Sequence, residues 1–491
     1  MQLTTSLQTM IMMKNKSIAS YVAITFVATI IASCNAPNTV MKTENKIISA
    51  SYNGSQSPDS TNSGKLQWRE YFTDPYLASL IDTALTNNQE LNITKQEIAI
   101  SQNEIMARKG EYLPFVGLGG GAGVEKAARY TNIGASEATT DIKPGRETPE
   151  PLPDFRVAAF AHWEVDIWHK LRNAKKSAVN RYLASVEGKN FMVTNLISEI
   201  ANSYYELLAL DSQLNIVKSN IDIQTNALKI VKMQKEATRV TELAVRRFEA
   251  QVLNTRSLQF DIQQQITVTE NKINFLLGRY PQPISRSTEN FENMVPMMVA
   301  AGIPTQLLEN RPDIKQAELE LTATKIDLQV ARANFYPSLG LTADIGLQAF
   351  NPIYLARLPE SLLASLVGDL AGPLINKNGI KATYNTANAK QIQAVYNYER
   401  TLLNAVIEVT NQLANISNLE NSYNLKSQEV QALTQSITIS NNLFRSARAD
   451  YMEVLLTQRD ALESRFDLIE TKMGQMHATV NIYRALGGGW N

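Results

Sequence analysis

A single cysteine, Cys34, in 491 residues excludes an internal disulfide and any thiolate-rich metal site. Histidine is nearly as scarce, with three copies. His162 and His169 flank Glu164 and Asp166 in HWEVDIWH, but no third partner cluster accompanies them, and His477 stands alone on a late helical stretch. No HExxH, phosphate loop or Ser-His-Asp grouping occurs in a supporting context. The glycines at 119, 120, 121 and 123 lie inside an alternating stretch and lack the lysine-serine ending of a nucleotide loop. Net charge is also missing, since 47 basic residues balance 47 acidic ones, so there is no footprint for nucleic acid. Past the N-terminal region no apolar run reaches the roughly 18 residues of a membrane helix. Any crossing must therefore be made by strands that close into a barrel.

What is present begins at the N-terminus. Lys14, Asn15 and Lys16 precede an apolar run from Ile18 to Ala32 that ends in Ile31-Ala32-Ser33-Cys34. Residues 1–33 are expected to be a signal peptide, with Met12 or Met13 a better start than Met1. Small residues before a lone cysteine resemble a bacterial lipobox, which implies cleavage before Cys34 and a covalent lipid on it. Residues 34–65 are rich in Ser, Asn, Thr and Gly and are expected to form a lipid-anchored flexible tether.

The folded body is organised around residues 308–341. Asn310 is expected to cap a helix that Arg311 and Pro312 open, with Asp313 at its positive end. Ile314, Ala317, Leu321, Leu328 and Ala331 continue it at helical spacing. At Pro337 the period changes to two: Leu339, Leu341, Ala343, Ile345 and Leu347 alternate with Gly340, Thr342, Asp344, Gly346 and Gln348. The pattern recurs 223 residues earlier, where Pro114 matches Pro337 and Glu90 matches Asp313. A second register of 209 pairs Glu199 with Glu408, Val245 with Val454 and Gly278 with Gly487. The 14-residue difference falls in 125–153, read as an exposed hairpin loop without an element of its own.

Each repeat, 66–280 and 303–491 about a linker at 281–302, thus reads helix, strand, loop, strand, long helix, turn, helix. Strands are expected near 114–124, 155–165, 337–348 and 359–370; the last alternates least cleanly, because Leu362 and Leu363 are adjacent. Long helices are expected at 174–237 and 383–446. Sixty residues span on the order of 90 Å, beyond any bilayer, so they stand in water. Ile216, Ile223, Ile230 and Ala237 supply a sevenfold seam. Four strands cannot close a barrel that needs about eight, so membrane-spanning strands require several chains. A lipid-anchored periplasmic coiled-coil scaffold is the competing reading.

The Arg311-Pro312-Asp313-Ile314 start leading to Pro337-Ser338-Leu339, together with the ending Ala485-Leu486-Gly487-Gly488-Gly489-Trp490, resembles outer-membrane efflux proteins of the TolC and NodT type, including outer membrane factor lipoproteins. The resemblance implies a mixed α and β membrane protein of TolC-like fold: a long α-helical periplasmic barrel and a transmembrane β-barrel with four strands per chain, closed in a homotrimer. It implies a passive exit duct for drugs or metal ions in a tripartite efflux system, or the duct of type I protein secretion. Neither catalysis nor any cofactor beyond the lipid on Cys34 enters. Implied partners are a periplasmic adaptor (membrane fusion) protein, an inner-membrane transporter of RND type and outer-membrane lipid. The turns at 237–242 and 446–451 would be the periplasmic mouth, with Phe444, Asp450, Glu453 and Val454 as gate candidates. The acidic pair has uncharged partners, Thr241 and Ala244, in the first repeat.

Overall fold

The computed structural model describes residues 36–37, 41–52, 61–287, 291–373, 375–446 and 448–490. The signal peptide, the alternative starts and Cys34 lie outside the described residues. The principal elements are helices α1 (Pro75–Asn87) and α2 (Gln89–Glu111), strands β1 (Phe115–Glu125) and β2 (Leu152–Val165), and helices α3 (Lys170–Glu236) and α4 (Glu242–Leu276). The second repeat supplies α5 (Pro312–Ala333), β3 (Ser338–Ala349), β4 (Leu362–Ala371), α6 (Asn378–Arg445) and α7 (Tyr451–Ala485). At 67 and 68 residues, α3 and α6 are each on the order of 100 Å long. The chain divides into two compact units that share α2, α3, α5 and α6.

The first unit comprises residues 1–43, 100–182 and 319–395 and holds one antiparallel sheet in the order β1-β2-β3-β4. Its continuous register sorts the side chains into two faces. The uneven pattern of the last strand resolves here: Leu362, Leu366 and Leu370 share one face, and Leu363, Ser365 and Asp369 the other. The β1 glycines also find their reason, since a Cβ on Gly117 would lie 2.7 Å from the Phe160 ring. The segment 125–153 is more structured than expected. Glu125 and residues 152–153 belong to strands, and between them lie a helical turn at Asn132–Glu137 and a small hairpin of Asp141–Lys143 with Arg146–Glu147. Local hydrogen bonds invisible to periodicity build them: the Thr131 hydroxyl accepts from the Gly134 amide, and the Asp141 carboxylate from the Gly145 amide. Helix α3 starts earlier than its apolar pattern because Asp166 accepts from the amides of Leu171 and Arg172 at 3.0 and 2.9 Å.

The second unit comprises 44–99, 183–318 and 396–491. Its core packs Trp68, Tyr71, Leu77 and Ile81 against Ile197, Ile200, Tyr204 and Leu207 of α3 and against Ile469, Val480 and Tyr483 of α7. Tyr71 and Tyr483 stack at 4.0 Å, and their hydroxyls donate to the carbonyls of Thr479 and Leu66. The seam of α3 is sevenfold but displaced by one residue from the expected one. Leu210, Val217, Gln224 and Val231 are buried, Val217 fully, whereas Ile223 is 42% exposed. Both registers carry branched apolar residues, so spacing alone did not choose between them.

Two further expectations are corrected. Asn310 is not a helix cap: residues Leu307–Asn310 form their own turn, and Arg311 is extended at φ −87°, ψ 116°, as the residue before a proline must be. Nor are residues 41–52 a free tether. In the first unit the Gln391 amide accepts from Lys42 N–H at 3.2 Å and donates to Lys42 C=O at 2.8 Å. In the second, Asn45 N–H donates to Glu399, and Lys46 pairs with Glu318 at 2.7 Å.

Candidate functional site

The sheet carries the first candidate surface. One face presents Val116, Leu118 and Val124 of β1, Phe155, Val157, Trp163 and Val165 of β2, Leu339, Leu341, Ile345 and Leu347 of β3, and Leu362, Leu366 and Leu370 of β4. Only alanine, glycine and Pro153 fill its other positions, so no charge stands on it. The opposite face bears Glu125, Asp154, Arg156, Glu164, Asp344 and Asp369. Arg156 pairs with Asp344 at 2.8 Å, Ser365 donates to the same carboxylate, and Gln348 donates to Asp154. A sheet so divided separates an apolar medium from water. Among the described residues no helix is long and apolar enough to cross a membrane. Strands β1 and β4 have no outer partner among the described residues.

The helical turns carry the second. Val454 is 2% exposed in a cluster with Val231, Ala244, Val245 and Phe248, against which Phe444 and Tyr451 pack. Phe444 and Val454 are therefore brought together in one apolar cluster. Asp450 takes the N-cap position of α7, its backbone carbonyl accepting from Glu453 N–H at 3.1 Å while its carboxylate makes no capping bond. Its repeat partner Thr241 does cap, accepting from Ala244 N–H. Asp450 and Glu453 are exposed, and neither has an ion-pair partner among the described residues. The acid of the first turn is different: Glu242 pairs with Lys235 at 2.8 Å and Arg246 at 2.9 Å, which hold its carboxyl below the usual range. Residues 232–249 hold five basic and three acidic side chains, and 445–454 two of each, so any negative field there is local to Asp450 and Glu453.

His162 approaches the Thr342 hydroxyl at 3.4 Å, and His477 Nε2 the Asn202 carbonyl at 3.0 Å. Among the described residues no group of three or more His, Cys, Asp or Glu side chains could hold a metal.

Sequence reasoning missed the clamps that close each repeat. The Asn88 amide donates to Leu276 C=O at 2.8 Å, and Arg311, at the equivalent position, donates to Ala485 C=O at 2.9 Å. Gly278 and Gly487, at φ +66° and +87°, approach so closely that a Cβ would lie 2.4 Å from Asn87 O and 2.6 Å from Asn310 O. The registers of 223 and 209 were the signal that could have found them.

A family model described as outer membrane efflux protein matches residues 80–279 and 303–488. The chain is similar to the pyoverdine export outer membrane protein OpmQ of Pseudomonas aeruginosa, 27% identical over 424 residues, 86% of this chain and 87% of that protein. It is likewise similar to the cation efflux system protein CusC of Escherichia coli O6:H1, 25% identical over 423 residues, 86% of this chain and 88% of that one. The solved outer-membrane channel OprN shares the fold with a TM-score of 0.82 at 20% identity, over 93% of this chain and 99% of that one.

Proposed function

The chain belongs to the outer membrane efflux protein family, and on that premise we propose that three copies close one passive duct from the periplasm to the exterior. It is the outer-membrane channel component of an efflux system and works with a periplasmic adaptor and an inner-membrane pump, which we take to be of RND type. The observation that carries the reading is the edge-open sheet with one wholly uncharged face, which a water-borne coiled-coil scaffold would leave unpaired and wet. Association of several copies is supported by quasi-equivalence along the return helices. Leu253 and Phe260 on α4 are 59% and 68% exposed, whereas Leu462 and Ile469, 209 residues on, are 7% and 0% exposed. A neighbouring copy would cover the α4 stripe as the chain itself covers that of α7.

Lipidation of Cys34 is supported by Ala36, which packs in one cluster with Phe335 and Tyr384, just before β3. Mass spectrometry of the mature N-terminus tests it. The cargo is a small molecule or metal ion, with Asp450 and Glu453 biasing the mouth towards cations. Planar-bilayer conductance tests the duct, and native mass spectrometry in mild detergent should show three chains. Phe260→Glu should yield monomers without conductance; a monomer that still conducts would overturn the proposal.

A further inference from the structure

At the foot of the uncharged sheet face, aromatic rings and cations of the first unit collect. Trp163 lies near the end of that face, one same-face position before Val165, and donates from Nε1 to the Tyr112 carbonyl at 3.0 Å, while the Lys175 ammonium stands 5.7 Å from the Tyr112 ring centroid. Trp168 stacks on Tyr336 at 4.7 Å and donates to the Pro337 carbonyl at 2.8 Å, yet remains 43% exposed. Rings with an apolar body and a hydrogen-bonded polar edge belong at a membrane–water boundary.

Directly after β2, α3 opens with the cations Lys170, Arg172, Lys175 and Lys176. The two acids beside them are engaged. Glu164 pairs with Lys170 at 2.5 Å, and Asp166 is committed to the amides of Leu171 and Arg172. Arg172 and Lys176 have no ion-pair partner among the described residues, and Lys175 has only the Tyr112 ring. Across α3, Ser177 and Arg181 are turned to α5, bonding Ala323 C=O and Asp327.

The charge bias is confined to this end of the sheet. The strand feet, 108–114, 162–176, 325–338 and 369–381, hold two, four, two and two Lys or Arg against one, two, one and one Asp or Glu. The loops at the other end, 125–154 and 349–361, hold four and one against six and one. Ten against five at the feet and five against seven at the tips is an asymmetry that a leaflet of anionic headgroups would reward.

We propose that Arg172, Lys175 and Lys176, below the Trp163–Tyr112 and Trp168–Tyr336 pairs, bind the phosphate headgroups of anionic phospholipid in the leaflet at the strand feet. The proposal rests on the outer-membrane reading. It concerns which lipid is held rather than whether the sheet spans. Compact cations attract such headgroups over about a Debye length, and the rings fix the depth at which they do so.

The full-length protein, reconstituted in phosphatidylcholine bilayers containing phosphatidylglycerol and then extracted gently, should retain phosphatidylglycerol about tenfold over phosphatidylcholine by native mass spectrometry. Raising salt to about 1 M during extraction should abolish the preference. The triple variant Arg172→Gln, Lys175→Gln, Lys176→Gln should lose it while conductance persists. Equal retention of both lipids by a conducting wild-type protein overturns the proposal and leaves the duct intact; failure to insert in either bilayer ends both. Should the variant not fold, the salt response of the wild type decides alone, and a salt-insensitive preference counts against the collar.

Discussion

Arg311 is 5% exposed, and its guanidinium joins three elements: Asp313 at 2.6 Å, Glu408 of α6 at 2.8 Å and the Ala485 carbonyl ending α7 at 2.9 Å. Pro312 after it opens the helix, but the Arg311 side chain makes the tertiary contacts. Arg311→Met should cost about 3 kcal/mol by leaving the half-buried Asp313 carboxylate and a helix-terminal carbonyl without their donor, measured by denaturant unfolding in detergent. His477 adds a pH dependence. Burial pushes its imidazole below the usual value of about 6.5, outweighing the Asn202 carbonyl and Glu206, which favour the proton, and Lys272 acts with burial. The unfolded chain therefore takes up the proton first as pH falls. This contribution is whole above about pH 6.5 and is lost as pH falls through the lower folded value. Melting of the wild type between about pH 7.5 and 5 should drop further than that of His477→Gln; parallel curves would show that His477 is indifferent.

At the scale of elements, the repeats share the way their last helix is stopped. Gly278 and Gly487 combine positive φ with a backbone oxygen where a Cβ would go. Gly278→Ala and Gly487→Ala should each destabilise by more than about 1 kcal/mol. Gly110 provides the contrast, because it lies within α2 and a Cβ there meets nothing within 4 Å. Gly110→Ala should stabilise by about 0.5–1 kcal/mol in the same unfolding assay. Periodicity revealed these elements but not their ends. The sheet was legible because the strands must alternate to separate lipid from water, whereas the 132–147 excursion rests on single side-chain caps. The seam of α3 was legible in period and not in phase, since Ile216 and Val217 are adjacent and equally apolar.

For the whole molecule, the gate prediction concerns asymmetry. In the proposed trimer, three copies of Asp450 and Glu453, unpaired where Glu242 is ion-paired, would place like charges near one axis at the mouth. Glu453→Gln should lower cation selectivity and weaken block by trivalent cations in single-channel recordings, with Asp450→Asn acting in the same direction. An unchanged reversal potential and block in both variants would make these carboxylates ordinary first-turn helix charges.

The repeat and the four strands followed from sequence alone, because period and internal offset are one-dimensional constraints. The family resemblance came from the same residues, 311–314, 337–339 and 485–490. Tertiary structure decided which of two heptad phases is buried, that residues 41–52 are held by Gln391 and Glu399, and that Val454 and Phe444 pack together while Asp450 and Glu453 stay in water. Those outcomes depend on partners from other elements, from Ile262 against Val217 to Lys42 against Gln391, and no local pattern encodes which side of a helix another segment will cover.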